Sequence, residues 1–149
     1  MDEKILRKLN ELNEDDDKDR LPDRELTVRA LKLLQTLLFP DYFHFCSLTD
    51  PRQILDLTRE QLRDQMTAAY ALAGRNVDID AVIDDYVGML PEIKRVLLTD
   101  IQAIYDGDPA ATSKQEVIIT YPGFYAILAY RLAHGLYQLG VPIIPRIMT

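Results

Sequence analysis

Apolar residues recur along this chain at spacings of three and four, the pattern of helices that each bury one face. Ile5, Leu6, Leu9 and Leu12 alternate with charges over residues 1–13 and predict an amphipathic helix. The acidic run Glu14–Lys18 predicts an exposed hinge after it. Pro22 falls where a second helix opens, with Leu26, Ala30, Leu33, Leu34, Leu37 and Leu38 as its inner face, and Pro40 and Asp41 end it. The third start is clearer: Asp50 takes the N-cap and Pro51 the first helical position. Ile54, Leu55, Leu62, Met66, Ala69, Tyr70 and Ala73 follow in phase, and Gly74 offers a left-handed exit.

Asp78 or Asp80 caps a fourth helix carrying Val82, Ile83, Tyr86 and Leu90. Pro91 predicts a joint, with a fifth helix to about Tyr105 that turns Ile93, Val96, Leu97, Ile101 and Ile104 inward. Asp106-Gly107-Asp108-Pro109 breaks that helix. Ser113 and Glu116 have capping-box spacing for a short helix over 114–119, although Val117-Ile118-Ile119-Thr120 has strand propensity. A last helix covers about 122–139 and stops at Gly140, leaving an apolar, proline-containing segment to Thr149. The fold class is therefore all-α, a multi-helix bundle in one structural domain. Residues 1–106 form its acidic body, and residues 107–149 carry a loop and an apolar helix.

The 149 residues, 48% apolar and 28% charged, are enough for one domain with a real core. A net charge of −7 repels a phosphate backbone and an anionic membrane surface alike, so neither nucleic acid nor membrane is an expected partner. That charge is uneven. From position 108 onward only Asp108 and Glu116 are acidic, against Lys114, Arg131 and Arg146, whereas the first 107 residues carry eight negative charges net. The apolar run from Val117 to Pro145 holds Arg131, His134 and three prolines, which argues against a membrane span. The single cysteine, Cys46, excludes a disulfide framework within the chain and makes a reducing cytoplasm the natural compartment. Within Tyr42-Phe43-His44-Phe45-Cys46 a small buried hydrophobe is the plainer reading and a reactive thiol the sharper one. The charged N-terminus has no apolar signal core. No glycine-rich phosphate loop, internal repeat or paired-cysteine spacing is present, so no bound cofactor or metal is expected.

Two stretches carry chemistry. In Asp106-Gly107-Asp108-Pro109-Ala110-Ala111, proline holds the aspartate before it extended, where the carboxylate either terminates the helix or faces a cleft and holds an ammonium group. In Tyr121-Pro122-Gly123-Phe124-Tyr125-Ala126-Ile127-Leu128-Ala129-Tyr130-Arg131-Leu132-Ala133-His134, the helix is apolar nearly all round. Arg131, His134 and Gln138 interrupt it on one stripe. His134 is either a catalytic base or a hydrogen-bonded structural histidine. No nucleophile or carboxylate stands at a helical neighbour position to favour the first.

Together, the run D-I-Q-A-x4-D-P-A from Asp100 and the helix reading Y-P-G-F-Y-A-I-L-A-Y-R-L-A-H resemble the N-terminal region of bacterial serine acetyltransferases. The resemblance implies transfer of an acetyl group from acetyl-CoA to L-serine, giving O-acetylserine for cysteine synthesis. It implies a helical domain that joins trimers into hexamers, and a following left-handed β-helix that carries a histidine–aspartate general base and the acetyl-CoA groove. By the same resemblance Asp108 matches the aspartate of the serine pocket, and no catalytic residue is assigned within these 149 residues. The family's contact with O-acetylserine sulfhydrylase uses a C-terminal tail. Because hexapeptide repeats are absent from this chain, the expectation is an assembly and substrate-pocket segment, inactive alone, of a longer enzyme. The alternative is a non-catalytic module that docks a partner through its apolar last helix.

Overall fold

Side-chain caps start four of the helices that the apolar spacing predicts. Asp23 accepts a hydrogen bond from Leu26 N (2.9 Å), Asp50 from Arg52 N (2.9 Å), Asp78 from Ala81 N (3.1 Å) and Ser113 from Glu116 N (3.1 Å). Each such cap contributes about 1 kcal/mol by satisfying a backbone donor the helix cannot. The computed structural model describes residues 2–12 and 20–149, so the hinge expected at Glu14–Lys18 lies outside the described residues. Its helices are α1 (Asp2–Leu12), α2 (Arg24–Leu38), α3 (Pro51–Leu72), α4 (Ile79–Gly107), α5 (Lys114–Thr120), α6 (Pro122–Gln138) and α7 (Ile144–Met148). Among the described residues there is no strand, so Val117–Thr120 is helical. The Ser113 cap decides against strand propensity there.

Helices α2 and α3 pack on each other, α4 packs on α3, α5 and α6, and α7 closes over α2, α3 and α6. The apolar tail thus folds back onto the bundle, burying Ile144, Pro145 and Met148. Helix α1 forms as expected but buries none of its residues. Ile5, Leu6, Leu9 and Leu12 are all exposed.

Several expectations are corrected. Pro22 lies one residue before the Asp23 cap rather than inside α2. Ala73 is the exposed C-cap of α3, and Cys46 is half-buried rather than a core residue. The joint expected at Pro91 does not exist: α4 runs through it unbroken. A proline inside a helix costs about 3 kcal/mol, because it deletes one hydrogen bond and crowds the preceding turn. The apolar stripe continues in phase across it. Ile83, Tyr86, Leu90, Ile93 and Leu97 are buried at alternating steps of three and four, while Pro91 points to solvent. Breaking the helix would take half of that stripe off its partner.

The partner is α6, which runs antiparallel to α4. Tyr86 donates to Leu132 O (3.0 Å), and Gly135 sits against the Tyr86 ring and Ile93. A Cβ at Gly135 would stand 3.0 Å from Tyr86 Cε2 and 3.2 Å from Ile93 Cδ1. Burial pushes the Tyr86 hydroxyl far above its ordinary range, so it stays a neutral donor.

Gly135→Ala should therefore destabilise by about 1–2 kcal/mol, overpacking outweighing the better helix propensity of alanine. Gly88→Ala, where nothing lies within 4 Å of the added Cβ, should stabilise by about 0.5–1 kcal/mol. Thermal melts of the two variants should move in opposite directions, and a shared sign would overturn the close-approach account.

Candidate functional site

Two polar side chains stand on the α4–α6 seam. Continuing its alternation past Leu97 leads to Asp100 and Ile104, so a carboxylate occupies a position that the pattern reserves for an apolar residue. Across from it, Arg131 of α6 donates through Nε (2.9 Å) and Nη2 (3.0 Å) to the two oxygens of Asp100. Asp100 is only 16% exposed. The guanidinium in turn titrates higher than usual, chiefly through that hydrogen bond.

Beyond Asp100, α4 ends at Gly107 with Asp108 as its C-cap, extended at φ −117°, ψ 104° as Pro109 requires. Oδ1 of Asp108 accepts from Ala110 N (2.9 Å), and Oδ2 accepts from the Tyr121 hydroxyl (2.6 Å). The Tyr121 hydrogen bond, then the Ala110 one, hold the Asp108 carboxyl below the usual range. Tyr121 is pushed up to about 12, first by the same hydrogen bond. Glu116 neighbours this pair. Its Oε2 accepts from the Thr112 hydroxyl and amide (2.5 and 2.7 Å), which lowers its carboxyl, while the Asp108 charge opposes that effect. The capping box so closes on Thr112, the residue before the cap.

The loop is therefore a cradle with two ionised carboxylates. It can hold a cation such as an ammonium group. A carboxylate has about four acceptor positions, and Asp108 uses one on each oxygen.

Sequence reasoning located Asp108 but missed Tyr121 as its partner and Asp100 as the partner of Arg131. Antiparallel pairing of two in-phase stripes was the signal that could have found both. His134 does not join the site. It lies thirteen residues along α6 from Tyr121, roughly 20 Å at the helical rise, stacked between Tyr130 (centroids 5.6 Å apart) and Tyr137 (6.1 Å). Aromatic stacking rather than a hydrogen bond is the contact seen for it. An open groove of about 430 Å³ beside it is lined by Tyr130, Tyr137, Pro145 and Arg146, away from Asp108. Among the described residues no cluster of three or more His, Cys, Asp or Glu could hold a metal, and no helix is long and apolar enough to cross a membrane.

Comparison with known proteins points one way. Residues 57–129, which include Asp100, Asp108 and Tyr121, match the family model for the serine acetyltransferase N-terminal region. A serine acetyltransferase encoded on a plasmid of Synechococcus elongatus is 37% identical over 145 residues, covering 85% of this chain and 46% of that protein. Serine acetyltransferase 1 of Entamoeba histolytica, solved in complex with L-cysteine, aligns with a TM-score of 0.66 and 34% identity over 79% of this chain and 43% of its own. The native form of that enzyme aligns with a TM-score of 0.66 and 30% identity, covering 97% of this chain and 55% of its own. The chain spans about half the length of these relatives.

Two outcomes follow from the site's geometry. Arg131→Lys keeps the charge and loses the two-pronged hydrogen bond, so it should cost about 1–2 kcal/mol in chemical denaturation. A loss no larger than at an exposed pair such as Arg95–Glu92 would mean that the seam does not depend on it. The second outcome concerns acid. The folded-state values of Asp108 and Glu116 lie below their ordinary 3.8 and 4.5. The stabilisation they bring is thus complete above those values and is lost as pH falls through the lowered ones. Asp108→Asn should flatten the loss of stability below about pH 4, and an acid limb identical to that of the parent would remove Asp108 from it.

Proposed function

Residues 57–129 carry the N-terminal domain of the serine acetyltransferase family, and from that premise we propose that this chain is the assembly and substrate-pocket region of a serine O-acetyltransferase. The reaction is acetyl transfer from acetyl-CoA, as co-substrate, to the hydroxyl of L-serine, releasing O-acetyl-L-serine and CoA. The observation that carries this reading is Asp108, a carboxylate held ionised at a helix end with an acceptor position open on each oxygen. Such a group binds the α-ammonium of an amino acid by a charge-assisted hydrogen bond. The L-cysteine held by the Entamoeba relative carries the same α-ammonium as L-serine.

The role of these residues is to bind and orient. The neighbouring carboxylate, Glu116, is engaged by Thr112, and His134 stands far along α6, so removal of the serine proton falls to residues outside this loop. The reading places the protein in the cytosol, as a homo-oligomer that uses the helical body, with O-acetylserine sulfhydrylase as its pathway neighbour. The alternative, a non-catalytic module that docks a partner through its apolar last helix, rests on Tyr125, Tyr130 and Tyr137, which α6 leaves exposed.

CoA release with L-serine and acetyl-CoA, assayed on the product of the intact gene and on residues 1–149 alone, separates the two. Serine-dependent release from the former only is the expected result, and silence from both leaves the module. In the active protein, Asp108→Ala should raise the KM for serine about ten- to a hundredfold, with that for acetyl-CoA nearly unchanged. Equal serine kinetics would remove Asp108 from the pocket.

A further inference from the structure

The geometry points to Tyr121 as the positioning residue of the substrate-binding carboxylate Asp108: its hydroxyl, held by two helices, fixes Oδ2 of Asp108 in the orientation that receives an ammonium group. The inference rests on the pocket role given to Asp108 above.

Asp108 follows a helix and enters a loop, and it is only half-buried. Left to itself its carboxylate would have one tie, the Ala110 N–H in its own turn, and would be free to rotate into water. Tyr121 supplies the second tie from outside the loop, at 2.6 Å. Its own placement is stiff. It is at once the C-cap of α5, with its N–H on Val117 O (3.2 Å), and the N-cap of α6, where Pro122 keeps it extended. Helix α5 is anchored beneath it by buried Val117 and Ile118, and α6 by buried Phe124. The ring is therefore set by packed helices, and the carboxylate inherits that order. A charged group held in place before the ligand arrives loses less freedom on binding and needs no reorganisation. The two remaining neighbours have other work: Glu116 ties down Thr112, and Asp106 accepts from Gln102 (2.7 Å).

Tyr121→Phe keeps the ring and deletes the tie. In the intact gene product it should raise the KM for L-serine about tenfold, the effect of one charge-assisted hydrogen bond, with kcat and the KM for acetyl-CoA within about twofold. In residues 1–149, carbon-13 titration of the Asp108 carboxyl should show its midpoint moving up towards the ordinary value. A residue that merely supported the fold would lower the melting temperature and leave that midpoint in place. An unmoved midpoint, or an unchanged serine KM in an active enzyme, overturns the inference. Should Tyr121→Phe not fold, Asp108→Asn gives the reciprocal measurement. The ring-carbon titration of Tyr121 should then fall from about 12 towards its ordinary 10, and a value still at about 12 counts equally against it. If the unsubstituted gene product releases no CoA with serine, the proposed function falls, while the two titrations still decide whether Tyr121 positions Asp108.

Discussion

The antiparallel contact between α4 and α6 is the constraint on which the rest depends. It holds because α6 offers no side chain at Gly135, where the Tyr86 ring and Ile93 come in. That close approach sets the distance between the helices, and interaxial distance follows from the side chains at the contact. Three ties then fix their register: Tyr86 to Leu132 O, Asp100 to Arg131, and Asp108 to Tyr121. A slide of one turn would part all three. A partly buried polar pair in an apolar seam adds little net stability but penalises other registers. The seam thereby sets where the end of α4 stands relative to the start of α6, and so where the candidate pocket lies.

How much of this was legible in the sequence depends on what kind of constraint was at work. Caps and stripes are local: Asp50, Ser113 and the stripes of α2, α3 and α4 could be read directly from spacing, and the cap of α4 was narrowed to Asp78 or Asp80, of which the structure uses Asp78. Pro91 was misjudged because its local cost was weighed without the stripe on either side, whose phase is kept through it. Cys46 was misjudged because an apolar run inside a loop need not be covered by anything. The polar core residues Thr58 and Gln65 gave no signal. Thr58 donates to Ile54 O, one turn back on its own helix. Gln65 accepts from Asp23 N, on a segment 42 residues away, and such a partner is a property of the fold alone.

The acidity of the body has a structural counterpart. Arg20–Asp64, Arg59–Asp84 and Arg63–Asp80 join α3 to the segment leading into α2 and to α4. Exposed pairs of this kind contribute at most about 1 kcal/mol each. They orient faces that the core already holds. The Asp100–Arg131 pair differs in being partly buried and two-pronged, and it lies inside the family-matched segment only on its Asp100 side.

The charge at the end of α4 bears on the pocket role proposed for Asp108. A helix C-terminus carries about half a negative charge from its unpaired carbonyls, and stability there favours lysine or arginine. Helix α4 shares the lack of a basic residue in its last turn with α1, α2, α3, α5 and α6, but it differs in ending on two carboxylates, Asp106 and Asp108. The carboxylate of Asp108 thus adds its charge to the negative end of the dipole, with Glu116 close enough to oppose it further. Its ionisation is restored by two donors, Tyr121 and Ala110, brought in for that purpose by α6 and the turn. An arrangement that first concentrates negative charge and then stabilises it with neutral donors leaves the charge uncompensated. A cation would compensate it, and the ammonium group proposed as the ligand of Asp108 is one. Local rules are broken most often where function requires it. Here the departure falls on the residue that sequence resemblance assigns to the serine pocket.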